Sequence, residues 1–167
     1  MRGLMPAVCI TAAILGIFAV VTACYYPVLP DRMASHFGAD GFPNGWMPKR
    51  DFVWSFAGFL LFIEAITMGA GAFMDRFPTE TINLPNKTYW LAPERRQASF
   101  AYVRAYTNWM GAATGALGIA VAHAVYRANI GDDLRLGNQI WVLLGIFVAF
   151  MVINTIGLFS RFQLPRR

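Results

Sequence analysis

Four apolar windows constrain this chain more than any other feature. They run 6–26, 52–74, 105–126 and 139–159, and each matches the roughly 20 residues an α-helix needs to cross a hydrocarbon core. Between their ends only Glu64 and His123 can carry charge. Lipid offers backbone N–H and C=O groups no partner, so a spanning segment must satisfy them internally. The period-2 alternation of a barrel strand is absent, which leaves the helix. The predicted architecture is all-α: one four-helix transmembrane bundle over residues 1–167, with an ordered outer loop and a short interfacial helix. Composition agrees, since 57% hydrophobic against 14% charged residues is too greasy for an ordinary water-soluble domain of 167 residues.

A net charge of +5 raises the question of nucleic acid, but the cations sit at the ends of apolar windows and form no stripe along one face. Nucleic acid is therefore excluded as a partner, and topology is the better use for them. Placing the N-terminus, the 75–104 loop and the C-terminal tail together collects Arg2, Arg76, Lys87, Arg95, Arg96, Arg104, Arg161, Arg166 and Arg167. The other side holds Arg32, Lys49, Arg50, Arg127 and Arg135. Nine against five puts both termini in the cytoplasm of a bacterial inner membrane, with Arg95 and Arg96 as cytoplasmic anchors. Arg2, the apolar run and Val21-Thr22-Ala23-Cys24 resemble a lipoprotein signal, yet the run is long for a signal core, so an uncleaved first helix is expected. Cys9 and Cys24 share that helix about 22 Å apart, too far for a disulfide.

The 27–51 loop carries Pro27, Pro30, Pro43 and Pro48 with Gly38, Gly41 and Gly45, a density that stops helices and specifies a compact cap. Tyr25, Tyr26, Trp46 and Trp54 suit the headgroup region. Pro93 and Glu94 mark a helix start, and 93–104 reads as an interfacial helix with Phe100 and Val103 in the lipid boundary, or as an inward extension of the third span. The third span is rich in small residues, Gly111, Gly115 and Gly118 among them. These permit close backbone approach, at the bundle centre or at a dimer contact.

The string Tyr26-Pro27-Val28-Leu29-Pro30-Asp31-Arg32, then His36-Phe37-Gly38, Gly41-Phe42-Pro43-Asn44-Gly45-Trp46 and Lys49, resembles an uncharacterised bacterial membrane domain. That domain is best known at the N-terminus of Sdp-type toxin-immunity proteins. Residues 85–96 also resemble a segment that follows in many relatives. Ala34 stands where the family has proline and Asn44 where it has aspartate, and the additional C-terminal spans of the full immunity protein are lacking. The resemblance implies a module that meets a secreted peptide, or another extracytoplasmic partner, through Asp31, His36, Phe37, Trp46 and Lys49.

Glu64 falls near the middle of the second span, where an unpaired carboxylate costs about 2.5–3.5 kcal/mol. Counting inward from the window edges puts it roughly level with Gly16, Thr114, Gly115 and Asn154. Small residues there leave room for an Asn154–Glu64 hydrogen bond that would hold the bundle, the alternative being a ligand, proton or ion site. Cys24, His36 and His123 have metal-ligand chemistry but no close spacing, so the expectation is no metal, with His36 a hydrogen-bonded loop residue and His123 interfacial. The serines lack a Gly-x-Ser-x-Gly context, and no phosphate loop or dinucleotide fingerprint occurs. The sequence thus predicts a non-enzymatic membrane module without cofactors. Its partners are the lipid bilayer and other membrane proteins or a secreted peptide, with a homo-oligomer as an option. The alternatives are an accessory subunit docking a neighbour through the small-residue face of the third helix, and a small oligomeric transporter built on Glu64.

Overall fold

A computed structural model describes residues 4–165, so Arg2, Arg166 and Arg167 of the charge argument lie outside the described residues. Helix α1 (Leu4–Tyr25) carries no charged side chain in its first or last turn and stops just before Pro27. Strands β1 (Arg32–Phe37) and β2 (Pro43–Pro48) follow, then α2 (Lys49–Ala72). Two 3₁₀ turns, Met74–Arg76 and Thr79–Thr81, and the single-turn α3 (Lys87–Trp90) lead into α4 (Pro93–Ile130). The last element is α5 (Gln139–Arg161). Four of these helices are long and apolar enough to cross a membrane.

The 27–51 loop is a β-hairpin, which corrects the all-α expectation. Its strands pair antiparallel in the register Met33↔Met47, Ala34↔Trp46 and Phe37↔Pro43, with irregularities on either side of His36. Of the prolines that read as breakers, Pro27 and Pro30 precede the hairpin and Pro43 and Pro48 stand at the two ends of β2, where a missing N–H costs little. The connection closes through Gly38 N–H to Phe42 O at 2.8 Å, and Gly41 takes φ +82°, which glycine adopts without a Cβ penalty. Packing demands glycine there too, because a Cβ on Gly41 would stand 2.8 Å from Leu136 O.

The hairpin is amphipathic. Met33, Phe37 and Met47 face the bundle and join Phe18, Leu29, Phe52, Leu60, Ala122, Val125 and Tyr126 in the main core. Burial of this kind stabilises the cap because the hairpin lies outside the lipid-facing spans, where water is the alternative. Between the spans themselves lipid is as apolar as leucine, and close packing must hold the helices instead. Small residues supply it. A Cβ on Gly111 would meet Met68 at 2.6 Å, one on Gly115 would meet Ile14 at 2.3 Å, and one on Gly118 would meet Leu60 at 2.4 Å. The small-residue face of α4 is thus consumed inside the chain, against α1 and α2, with α4 at the centre.

Helix α4 is 38 residues long, about 57 Å, and so overruns a ~30 Å hydrocarbon core. Residues 93–104 are its first three turns and not a separate interfacial helix. Phe100 and Val103 are buried, and Phe100 packs with Ile82 and Leu91, so the loop that folds back over these turns, and not lipid, covers it.

Candidate functional site

Two places gather the singled-out residues: the outward face of the hairpin and the middle of α2. At the hairpin, burial alternates along β2, leaving Asn44, Trp46 and Pro48 exposed and Gly45 and Met47 partly covered. Pairing sets Arg32 beside Pro48 and Ala34 beside Trp46, and the His36 ring nitrogen Nδ1 bonds the Asn44 amide oxygen. Arg32, His36, Asn44 and Trp46 therefore share one surface, on which the indole is 45% exposed. Phe37 belongs to the opposite, inward face.

Asp31 and Lys49 close the base of the hairpin. Lys49 Nζ lies 3.2 Å from Asp31 Oδ1, donates to Leu29 O at 3.2 Å and sits 4.9 Å from the centre of the Tyr26 ring. The Lys49 N–H donates to Asp31 O at 2.9 Å. These two residues join strand entry to strand exit.

Asn129 fastens the hairpin to the bundle and escaped sequence reasoning. Its Oδ1 accepts from Ala34 N–H at 2.7 Å, and its Nδ2 donates to Ala34 O at 2.9 Å and to Val125 O at 2.9 Å. A side-chain amide here does what a neighbouring strand would do for β1. The 131–138 connection grips the turn: Leu136 N–H donates to Gly41 O at 2.9 Å, Arg135 Nε donates to Asp40 O at 3.2 Å, and its guanidinium lies 4.9 Å from the Phe42 ring centre. Phe42, part of the 41–46 motif, and Arg135, which no motif announced, thus extend the exposed hairpin surface.

Two further bonds tie α1 to α4 beneath the cap, Thr22 Oγ1 with Tyr126 Oη at 3.0 Å and Tyr25 Oη with His123 Nε2 at 2.9 Å. His123 and His36 thus have separate partners, and Cys24 is exposed on α1. Among the described residues no three His, Cys, Asp or Glu side chains come together in a metal-holding group.

Glu64 is 1% exposed, and neither carboxyl oxygen has a hydrogen-bond partner. The expected bond from Asn154 is not formed: Asn154 Nδ2 donates to Phe150 O of its own helix at 2.8 Å. The physical reason is azimuth, since α5 packs chiefly against α4 while α2 packs on the other helices of the bundle.

On the opposite membrane face, Arg95 donates to Tyr89 O at 2.8 Å and lies 4.0 Å from that ring's centre, while Arg96 donates to Thr79 Oγ1 at 3.1 Å. Both arginines hold the 79–92 loop. Asn86 Nδ2 and Trp90 Nε1 both donate to Phe162 O, at 2.9 and 3.0 Å, and the Arg161 guanidinium lies 4.5 Å from the Trp90 ring centre. This clasp fastens the end of α5 to the loop.

Four spans with a docked extramembrane hairpin define a multi-pass membrane protein. A family model described as a domain of unknown function, DUF1648, matches residues 13–61, from the middle of α1 through the hairpin into α2. No curated protein and no solved structure matches the chain.

Proposed function

We propose that this chain is a non-enzymatic module of the bacterial inner membrane, with both termini cytoplasmic, that recognises an extracytoplasmic peptide through the outward face of its hairpin. One observation carries the reading: a hairpin held by its inner face, by Asn129 and by the 131–138 connection leaves Trp46 half exposed beside His36 and Arg32. A rigid, amphipathic aromatic in a pre-organised setting costs little entropy to engage and is the kind of side chain that anchors interfaces. The resemblance of the 26–49 string to toxin-immunity proteins supports a secreted peptide as the ligand. Asp31 and Lys49 contribute by fixing the base of the recognition element, and Phe37 by seating it.

The test is protection of cells challenged with the cognate secreted peptide. Trp46→Ala with His36→Ala should abolish protection while membrane abundance and thermal stability stay unchanged. Full protection by the double variant would refute the reading.

A second reading, an accessory subunit of a larger membrane assembly, draws on α5: none of its most apolar stretch is buried, and within the chain it packs chiefly against α4. The small-residue face cannot serve that role, being used internally. Recovery of stoichiometric membrane partners in mild detergent, lost on changing the outer face of α5, would favour it.

A further inference from the structure

We infer that the cleft between α1 and α2 is a binding site for an alkylammonium ion, with Glu64 as its acceptor. Among the described residues, the two oxygens of Glu64 are the only buried side-chain nitrogen or oxygen atoms without a hydrogen-bond partner. Buried polar groups are almost always satisfied, and a carboxyl with two unpaired acceptor oxygens at membrane depth calls for a donor. Among the described residues no side chain provides one. Thr11, the nearest hydroxyl in the cleft wall, is turned to the Met68 sulfur at 3.6 Å, and Asn154 is bonded within α5. Arg104 is paired with Asp75 at 3.1 Å and stands three turns of α4 away from Gly115, the residue that backs Glu64.

Both carboxyl oxygens are covered, and α4 backs one of them. A Cβ on Gly115 would lie 2.6 Å from Glu64 Oε1, so α4 presses on it from behind. On the other side Glu64 lines a cleft of about 430 Å³ whose remaining wall includes Leu15, Leu61, Met68 and Phe73 and is almost wholly apolar. That volume falls within the roughly 300–1,000 Å³ of small-molecule sites, and one polar group in an apolar wall is their usual make-up. The complement of a single buried carboxyl in a greasy cleft is a cation carrying N–H donors on a hydrocarbon chain. The ammonium would satisfy both oxygens while the chain lies along α1 and α2. A phospholipid headgroup does not fit, since Glu64 is about 12 Å along the axis from the nearer end of α2. The site is separate from the hairpin and does not depend on the peptide-recognition reading.

Dodecylamine is the probe and dodecanol its uncharged control, with the full chain reconstituted in phosphatidylcholine vesicles. A hydrophobic carbodiimide is added and Glu64 modification is followed by peptide mass spectrometry. Dodecylamine should slow modification of Glu64 about tenfold or more, the scale of a charge-assisted hydrogen bond, while dodecanol leaves the rate unchanged. Equal protection by the two compounds would overturn the assignment, because the tail alone would account for it. So would failure of the reagent to reach Glu64 at all, since the cleft would then be closed to molecules from the lipid. Equilibrium binding of dodecylamine provides the second readout: Glu64→Gln should lose it with the thermal transition retained, and retention of binding in that variant also refutes the site.

Discussion

Asn129 sits on the last turn of α4 and spends its amide on both backbone groups of Ala34 and on Val125 O. Removing one partner of a buried hydrogen bond leaves the other desolvated and unpaired, at about 1–3 kcal/mol. Asn129→Ala should therefore lower stability by about 2–3 kcal/mol in a thermal melt and raise hydrogen exchange across 32–48, whereas Trp46→Ala should change neither. Equal effects of the two would show that the hairpin is not docked as described. Asn129 was illegible because an asparagine near a helix end is unremarkable until its strand partner is known. Asn154 failed for the converse reason: counting along a window gives depth but not azimuth, and its amide turns to Phe150 O. The glycines divide on the same principle of facing. Gly115→Ala should destabilise by about 1–3 kcal/mol, since its Cβ would meet Ile14 and Glu64, while Gly145→Ala, with nothing within 4 Å, should be neutral in the same melt.

Among the elements, the spans were legible because lipid imposes a length and a polarity that hydropathy reads directly. Windows at 6–26 and 139–159 became Leu4–Tyr25 and Gln139–Arg161. Where helix runs on beyond lipid, that signal disappears. Helix α2 begins at Lys49, ahead of the apolar window, with Asp51 favourably placed in its first turn. Helix α4 starts at Pro93, its first three turns polar enough to read as something else. The hairpin was hidden by its own prolines, although the order of its loop was foreseen. The clasp around Phe162 O was equally invisible, because it joins residues 72 and 76 positions apart. Trp90→Ala removes one of its hydrogen bonds and the stacking partner of Arg161, and should cost about 1–3 kcal/mol. Faster hydrogen exchange confined to the end of α5 and the 79–92 loop is the expected signature. Unchanged exchange there would mean that the clasp is not formed.

At the scale of the molecule, the two extramembrane faces are built differently. One carries the hairpin, pinned by its apolar face, and the other the 73–92 loop, pinned by arginines and Trp90. The proposed orientation rests on the excess of cations on the loop side. The native cysteines report on it, since Cys24 is exposed one residue before the hairpin-side end of α1 and Cys9 lies toward the opposite end of the same helix. A membrane-impermeant maleimide added to intact spheroplasts should modify Cys24 and spare Cys9. Modification of Cys24 only after lysis would invert the topology. The central claim is that the outward hairpin face meets an extracytoplasmic peptide, and photo-crosslinking in living cells tests it most directly. A photoreactive residue is placed at 46 and, as control, at the buried position 33. A discrete adduct with a secreted peptide is expected from position 46 and none from 33. Absence of any adduct from 46, or the same adduct from lipid-facing positions on α5, would contradict it.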